Sequence, residues 1–109
     1  MRIPEITVEE LSGRLKSATP PRLIDVREAD EWDLCRIEGA EWIPLSRWPE
    51  AALEQLLDPN QELVIQCHHG GRSARAAAFL IGKGFGHVWN LEGGIESWSL
   101  RVDSAVPRY

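Results

Sequence analysis

The stretch that most narrows the fold runs from Glu62-Leu63-Val64-Ile65-Gln66, through Cys67-His68-His69-Gly70-Gly71-Arg72, into Ser73-Ala74-Arg75-Ala76-Ala77-Ala78-Phe79-Leu80-Ile81. Its first part is a short apolar run with the β-branched content of a buried strand. Its last part is built from strong helix formers and stops at Gly82-Lys83-Gly84, with a cation in the final turn. Cys67 therefore sits where a strand hands over to a helix. The alternation recurs along the chain. Leu23 to Val26 reads as a buried strand and Arg27 to about Leu34 as a short helix, while Val88-Trp89 is a short strand before Gly93-Gly94 and a small helix to Trp98. Thr7-Val8-Glu9-Glu10 is a capping box that opens a helix carrying Leu11 and Leu15 on one face. Pro20-Pro21 forces an extended connection. Trp42-Ile43 runs on to Pro44, and Pro49 to Leu57 is a helix with a stop around Asp58-Pro59-Asn60. This order predicts an α/β fold over residues 1–109 as one domain, with a mostly parallel central sheet and helices on both faces. In such sheets sites lie at the carboxyl ends of strands, where Cys67 and Asp25 both fall.

The chemistry of the loop follows from its position. The first amides of a helix lack intrahelical partners and carry the positive end of the macrodipole, so they stabilise an anion; a thiolate is one. Arg72 and Arg75 stand at that same end, where a cation is disfavoured by roughly 0.3–1 kcal/mol, so some other demand keeps positive charge there. Gly70 and Gly71 are expected to take positive φ and turn successive N–H groups inward. The plain alternative is a glycine turn around an inert, buried thiol. For His68 and His69 two readings stay open: proton transfer or contact with an acceptor, and ordinary polar loop side chains. A metal site is not expected, because adjacent residues rarely converge on one ion and the chain has no Cys-x-x-Cys pair. The five tryptophans are expected to pack in or beside the core, with Trp48 the candidate for a site rim.

Taken together, Cys67-His68-His69-Gly70-Gly71-Arg72-Ser73, Leu23-Ile24-Asp25-Val26-Arg27-Glu28 with Glu31-Trp32, and Ile37-Glu38-Gly39-Ala40 with Ile43-Pro44-Leu45 resemble the rhodanese-like sulfurtransferases. Asn90-Leu91-Glu92-Gly93-Gly94-Ile95-Glu96-Ser97-Trp98 and the Val106-Pro107-Arg108-Tyr109 segment extend the likeness over nearly the whole chain. The resemblance implies that Cys67 carries a persulfide and passes its outer sulfur to a nucleophile, with ping-pong kinetics and no metal or organic cofactor. It also implies that the loop of His68, His69, Gly70, Gly71, Arg72 and Ser73, helped by Arg75, meets an anionic sulfur donor. Asp25 and Arg27 would brace the active loop and the neighbouring helix; a surface ion pair between Arg27 and Glu31 is the competing account. Related cysteine phosphatases and arsenate reductases place five residues between cysteine and arginine. Only His68, His69, Gly70 and Gly71 intervene here, which favours a sulfur atom over an oxyanion. A non-catalytic binding module is the third reading. The His-His-Gly-Gly loop and the Pro-Arg-Tyr segment further resemble rhodanese domains of enzymes that act on sulfur-carrier proteins, which suggests a protein acceptor. The chain departs from the family at Cys35-Arg36, where members often carry Gly-His.

Composition enters as exclusion. The net charge is −5 with acids and bases interspersed, so no basic stripe is available for nucleic acid or an anionic membrane. No segment has the length and apolarity of a signal peptide or a membrane span, which leads to the expectation of a cytoplasmic protein. The chain's two cysteines, Cys35 and Cys67, are expected to stay reduced there, with Cys35 a buried small hydrophobe.

Overall fold

A computed structural model of the chain describes residues 2–109. In chain order the elements are β1 (Glu5–Ile6), α1 (Val8–Leu15), β2 (Arg22–Asp25), α2 (Ala29–Leu34), β3 (Glu41–Trp42) and α3 (Glu50–Gln55). Then come β4 (Leu63–Gln66), α4 (Gly71–Gly82), β5 (Val88–Leu91) and α5 (Gly94–Arg101), with a 3-10 turn at Leu45–Arg47 between β3 and α3. The five strands form one sheet in the order β1-β5-β4-β2-β3. Every pairing is parallel, as the strand–helix alternation requires.

Strand periodicity sorts the core into two layers. Leu63 and Ile65 face α3 and α4, packing with Ala52, Leu56, Ala76, Ala77 and Leu80, whereas Val64 faces the opposite side with Leu11, Leu91, Ile95 and Trp98. Cys67, two residues beyond Ile65, continues the α4-facing row and is itself part of that cluster. Helices thus cover both faces.

Local signals placed most elements. Thr7 Oγ1 accepts from Glu10 N at 3.1 Å and Glu10 Oε1 accepts from Thr7 N at 3.0 Å, closing the capping box that starts α1. Leu11 is fully buried and Leu15 half-buried on the inner face of that helix. Several boundaries differ from expectation: the helix expected over Pro49–Leu57 is confined to Glu50–Gln55, and two others have a clear cause. The helix expected from Arg27 begins at Ala29, because the Arg27 side chain turns into the interior instead of joining a surface helix. The helix expected from Ser73 begins at Gly71, so only Gly70 takes positive φ, at +111°, while Gly71 is helical. Finally, the two-residue edge strand β1, too short to show a period-two pattern, pairs with β5 through Glu5 and Ile6.

Cys35 is buried and free, as is Cys67. Trp98 is buried and the other four tryptophans are not fully so; Trp42, Trp48 and Trp89 donate their indole N–H to Arg27 O, Ile43 O and Glu62 Oε2 at 2.8, 2.8 and 3.0 Å.

Candidate active site

β4 ends at Gln66 and α4 starts at Gly71, so Cys67 to Gly70 form a tight crossing at the carboxyl edge of the central strand. The positive φ of Gly70 folds this crossing back on itself. Cys67 Sγ then lies 3.1 Å from Gly70 N and 3.4 Å from Ser73 N, with Ser73 Oγ at 3.3 Å. Two amides and a hydroxyl converge on the sulfur of Cys67, a residue that is 1% exposed. The Ser73 hydroxyl has one proton and three acceptors in reach, the others being Asn90 Oδ1 at 2.5 Å and Gly70 O at 3.2 Å. Asn90, at the matching edge of β5, also donates from Nδ2 to Gly70 O at 3.2 Å and so fixes the turn from below.

The loop is held from a second side by α5. Ile95 N donates to Cys67 O at 2.9 Å and Glu96 N to His68 O at 3.1 Å, so the active-loop carbonyls cap the first amides of that helix. This approach leaves no room at Gly94, which has φ +58°.

Outside the sulfur, a cleft of about 370 Å³ is lined by Cys67, His68, His69, Gly71, Arg72 and Arg75. Arg75 is exposed and, among the described residues, forms no ion pair. Arg72 is engaged: its Nη1 and Nη2 donate to Glu31 Oε1 and Oε2 at 2.6 and 2.8 Å, a fork-on-fork pair reaching across to α2. The Glu31 carboxylate also accepts from Tyr109 Oη at 2.8 Å and from Glu28 N at 3.1 Å. Tyr109 Oη in turn accepts from Arg27 Nη1 at 2.9 Å.

Arg27 is hydrogen-bonded through all three of its guanidinium nitrogens. It is 0% exposed, as is Asp25, and its guanidinium meets both Asp25 carboxylate oxygens, Cys35 O at 2.6 Å and Glu31 O at 3.2 Å. The surface pair between the Arg27 and Glu31 side chains does not exist: Arg27 pairs with Asp25, and Glu31 turns outward to Arg72. Asp25 and Arg27 brace α2 directly but reach the active loop only through Tyr109 and Glu31.

His68 lies between two rings, with His69 at 3.9 Å and 27° on one side and Tyr109 at 3.9 Å and 13° on the other. Burial, and next the charge of His69, lower the pKa of His68 and favour its neutral ring. Glu96 brings a third ligand-type group within 4.8 Å of both histidines. The Glu96 carboxylate already receives Arg108 at 2.8 and 3.2 Å.

Two titrations follow from this network. The Arg72 guanidinium holds Glu31 down to about 2, from the ordinary 4.5. That pairing stabilises the fold fully above the ordinary carboxylate value and is lost as pH falls from about 4.5 toward 2. Burial, with the Glu31 carboxylate adding to it against the opposing Arg27, pushes the Tyr109 phenol up to about 12. Because Tyr109 is the chain's one tyrosine, the phenolate absorbance of the whole protein is expected to titrate near pH 12, about two units above a free phenol. A midpoint at the ordinary value would show that the hydroxyl is not held between Arg27 and Glu31.

Of the residues expected at the site, Cys67, His68, His69, Gly70, Gly71, Arg72, Ser73 and Arg75 come together around the cleft. Trp48 lines a neighbouring groove with Leu45, Pro49 and Phe79, which meets the cleft at Arg75. Glu31, Asn90, Gly94 and Tyr109 were not expected to shape the site. Glu31 sits four residues beyond Arg27, a spacing that suggested a competing ion pair that does not form; Tyr109 was marked only as part of the Pro-Arg-Tyr resemblance, with no role at the site.

Comparison with known proteins gives a consistent picture. The Rhodanese-like domain family matches residues 7–101. A protein named "Sulfurtransferase" from Allochromatium vinosum is 36% identical, covering 87% of each chain. The putative sulfur carrier protein YrkF of Bacillus subtilis is 36% identical over 93% of this chain and 54% of its own. The crystal structure of a rhodanese-like domain protein from Staphylococcus aureus superposes with a TM-score of 0.82 at 28% identity, over 98% of this chain and 99% of that one. Several curated relatives are longer, and the chain spans 26% to 54% of their lengths.

Proposed function

The chain belongs to the rhodanese-like domain family, and on that premise we propose that it is a sulfurtransferase. It moves a sulfane sulfur from a donor such as thiosulfate or a persulfide to a nucleophilic acceptor, whether cyanide, a thiol or a sulfur-carrier protein, through a persulfide on Cys67. The observation that carries this reading is the convergence of Gly70 N, Ser73 N and Ser73 Oγ on Cys67 Sγ, which aims three donors at the atom that would attack the donor sulfur.

In the first half-reaction the Cys67 thiolate attacks the outer sulfur of the donor. With thiosulfate a new S–S bond forms, the bond to the sulfonate sulfur breaks, and sulfite leaves with that electron pair. The first α4 amides, which have no intrahelical partner, receive the outer sulfur of the persulfide. In the second half-reaction the acceptor takes that sulfur and the Cys67 thiolate returns as leaving group. Neutral His68 is a wall of the cleft and exposed His69 faces the incoming acceptor. The cradle between Cys67 and Arg72 is one residue shorter than a phosphatase loop, and no acid in it can protonate a leaving alcohol.

A protein acceptor belongs to the same reading, supported by the sulfur-carrier name of the Bacillus relative. No helix of the described residues is long and apolar enough to cross a membrane. A cytoplasmic location fits two free cysteines, one of them nucleophilic, and the net charge of −5 offers nothing to nucleic acid.

Intact-protein mass spectrometry tests the proposal. Wild type and Cys35→Ser are expected to gain one sulfur from thiosulfate or from a thiol persulfide, and to lose it to cyanide. Cys67→Ser is expected to gain none. If neither donor leaves a sulfur on the wild type, the binding-module reading takes its place.

A further inference from the structure

Arg72, one of the two arginines lining the cleft, is already paired before any donor arrives. Asp25 pairs with Arg27 and Glu31 with Arg72, and the two pairs are joined by the Tyr109 hydroxyl. Glu31 is saturated: Oε1 accepts from Arg72 and Glu28 N, Oε2 from Arg72 and Tyr109. Its side chain is 16% exposed, so the carboxylate is fixed in place, not loosely posted on the surface. Arg75 remains as the one cation lining the cleft without an ion pair among the described residues. Thiosulfate brings two negative charges and a sulfonate whose oxygens ask for the guanidinium edge that Glu31 occupies. A thiol persulfide carries at most one charge at its sulfane end and needs no guanidinium there.

Resting on the sulfurtransferase reading, we propose that Glu31 determines the donor class: by occupying Arg72, it selects thiol persulfides over dianionic thiosulfate. The favoured step is Cys67–S⁻ + R–S–SH → Cys67–S–SH + R–S⁻. One S–S bond forms as another breaks, the released thiolate carries the charge away, and no outside oxidant or reductant takes part. Glu31 is a specificity-determining residue acting through Arg72, with Tyr109 holding its orientation.

The test measures initial rates of sulfur uptake by Cys67 from thiosulfate and from cysteine persulfide in wild type and in Glu31→Gln, a change that keeps shape and removes charge. The ratio of the two rates does not depend on the fraction of protein that is folded. The thiosulfate-to-persulfide ratio is expected to be below one in the wild type and to rise about tenfold or more in Glu31→Gln. Added salt should shrink that gain as it screens the uncovered Arg72 charge. Tyr109→Phe, which keeps the ring against His68 and removes the hydroxyl, is expected to move the ratio the same way by less. A ratio within about twofold of wild type in Glu31→Gln, whether rates are kept or both fall together, would overturn the donor-class role and leave Glu31 as a structural clamp. Uptake from neither donor by the wild type overturns this inference together with the reading beneath it.

Discussion

Gly94→Ala is expected to lower the melting temperature by roughly 10–20 °C and to disable sulfur uptake at Cys67. Two costs combine. An L-residue at φ +58° gives up about 1–2 kcal/mol to the clash of Cβ with its own backbone. The added Cβ would also sit 2.5 Å from His68 O and closer still to Cys67 O, both of them backbone atoms that cannot rotate aside. Relief requires moving the loop or the start of α5, at a further cost of about 1–3 kcal/mol. Either movement breaks the bonds from Ile95 N and Glu96 N that hold the Cys67 and His68 carbonyls. Gly71→Ala is the control, since that glycine is helical and meets nothing within 4 Å; it should stay within about 0.5 kcal/mol of wild type. A Gly94→Ala protein that melts like wild type would show that the α5 start does not press on the active loop.

Arg27→Met is expected to cost about 3–5 kcal/mol in urea unfolding. The substitution leaves the fully buried Asp25 carboxylate with one remaining protein donor, the backbone N–H of residue 27 at 2.9 Å. It also orphans Cys35 O and removes the bond to Tyr109. A domain of this size has a total stability of about 5–15 kcal/mol, so much of the margin would go. Adding Asp25→Asn or Asp25→Leu to Arg27→Met should recover part of the loss, because the damage comes from an uncompensated charge and not from missing bulk. A double variant less stable than the single one, or a single-variant cost below about 1 kcal/mol, would contradict a buried charge pair at this position.

These two residues mark the limits of what the chain discloses on its own. Gly94 belongs to a Gly-Gly pair that reads as a turn, and the turn is there; that its missing Cβ admits two carbonyls from residues 67 and 68 is a matter of packing between β4 and α5. Arg27 reads, by family resemblance, as a brace for the loop and the neighbouring helix, with a surface pair to Glu31 as the competing account. Its burial depends on an acceptor set drawn from residues 25, 31, 35 and 109, and only the assembled fold brings Tyr109 into that set.

By itself the sequence determined the strand–loop–helix around Cys67, the capped first helix and the parallel sheet with both faces covered. Each rests on signals within a few positions: short continuous apolar runs, helix formers, a Thr-x-x-Glu box, glycines and a thiol between strand and helix. Tertiary structure alone decided which charges meet. Arg72 finds Glu31 41 residues away, and Tyr109 joins Arg27 and Glu31 from 82 and 78 residues away. Ion pairs and hydrogen bonds act over a few ångströms, and chain positions that far apart have no pattern of their own until the sheet order brings their strands and helices to one edge.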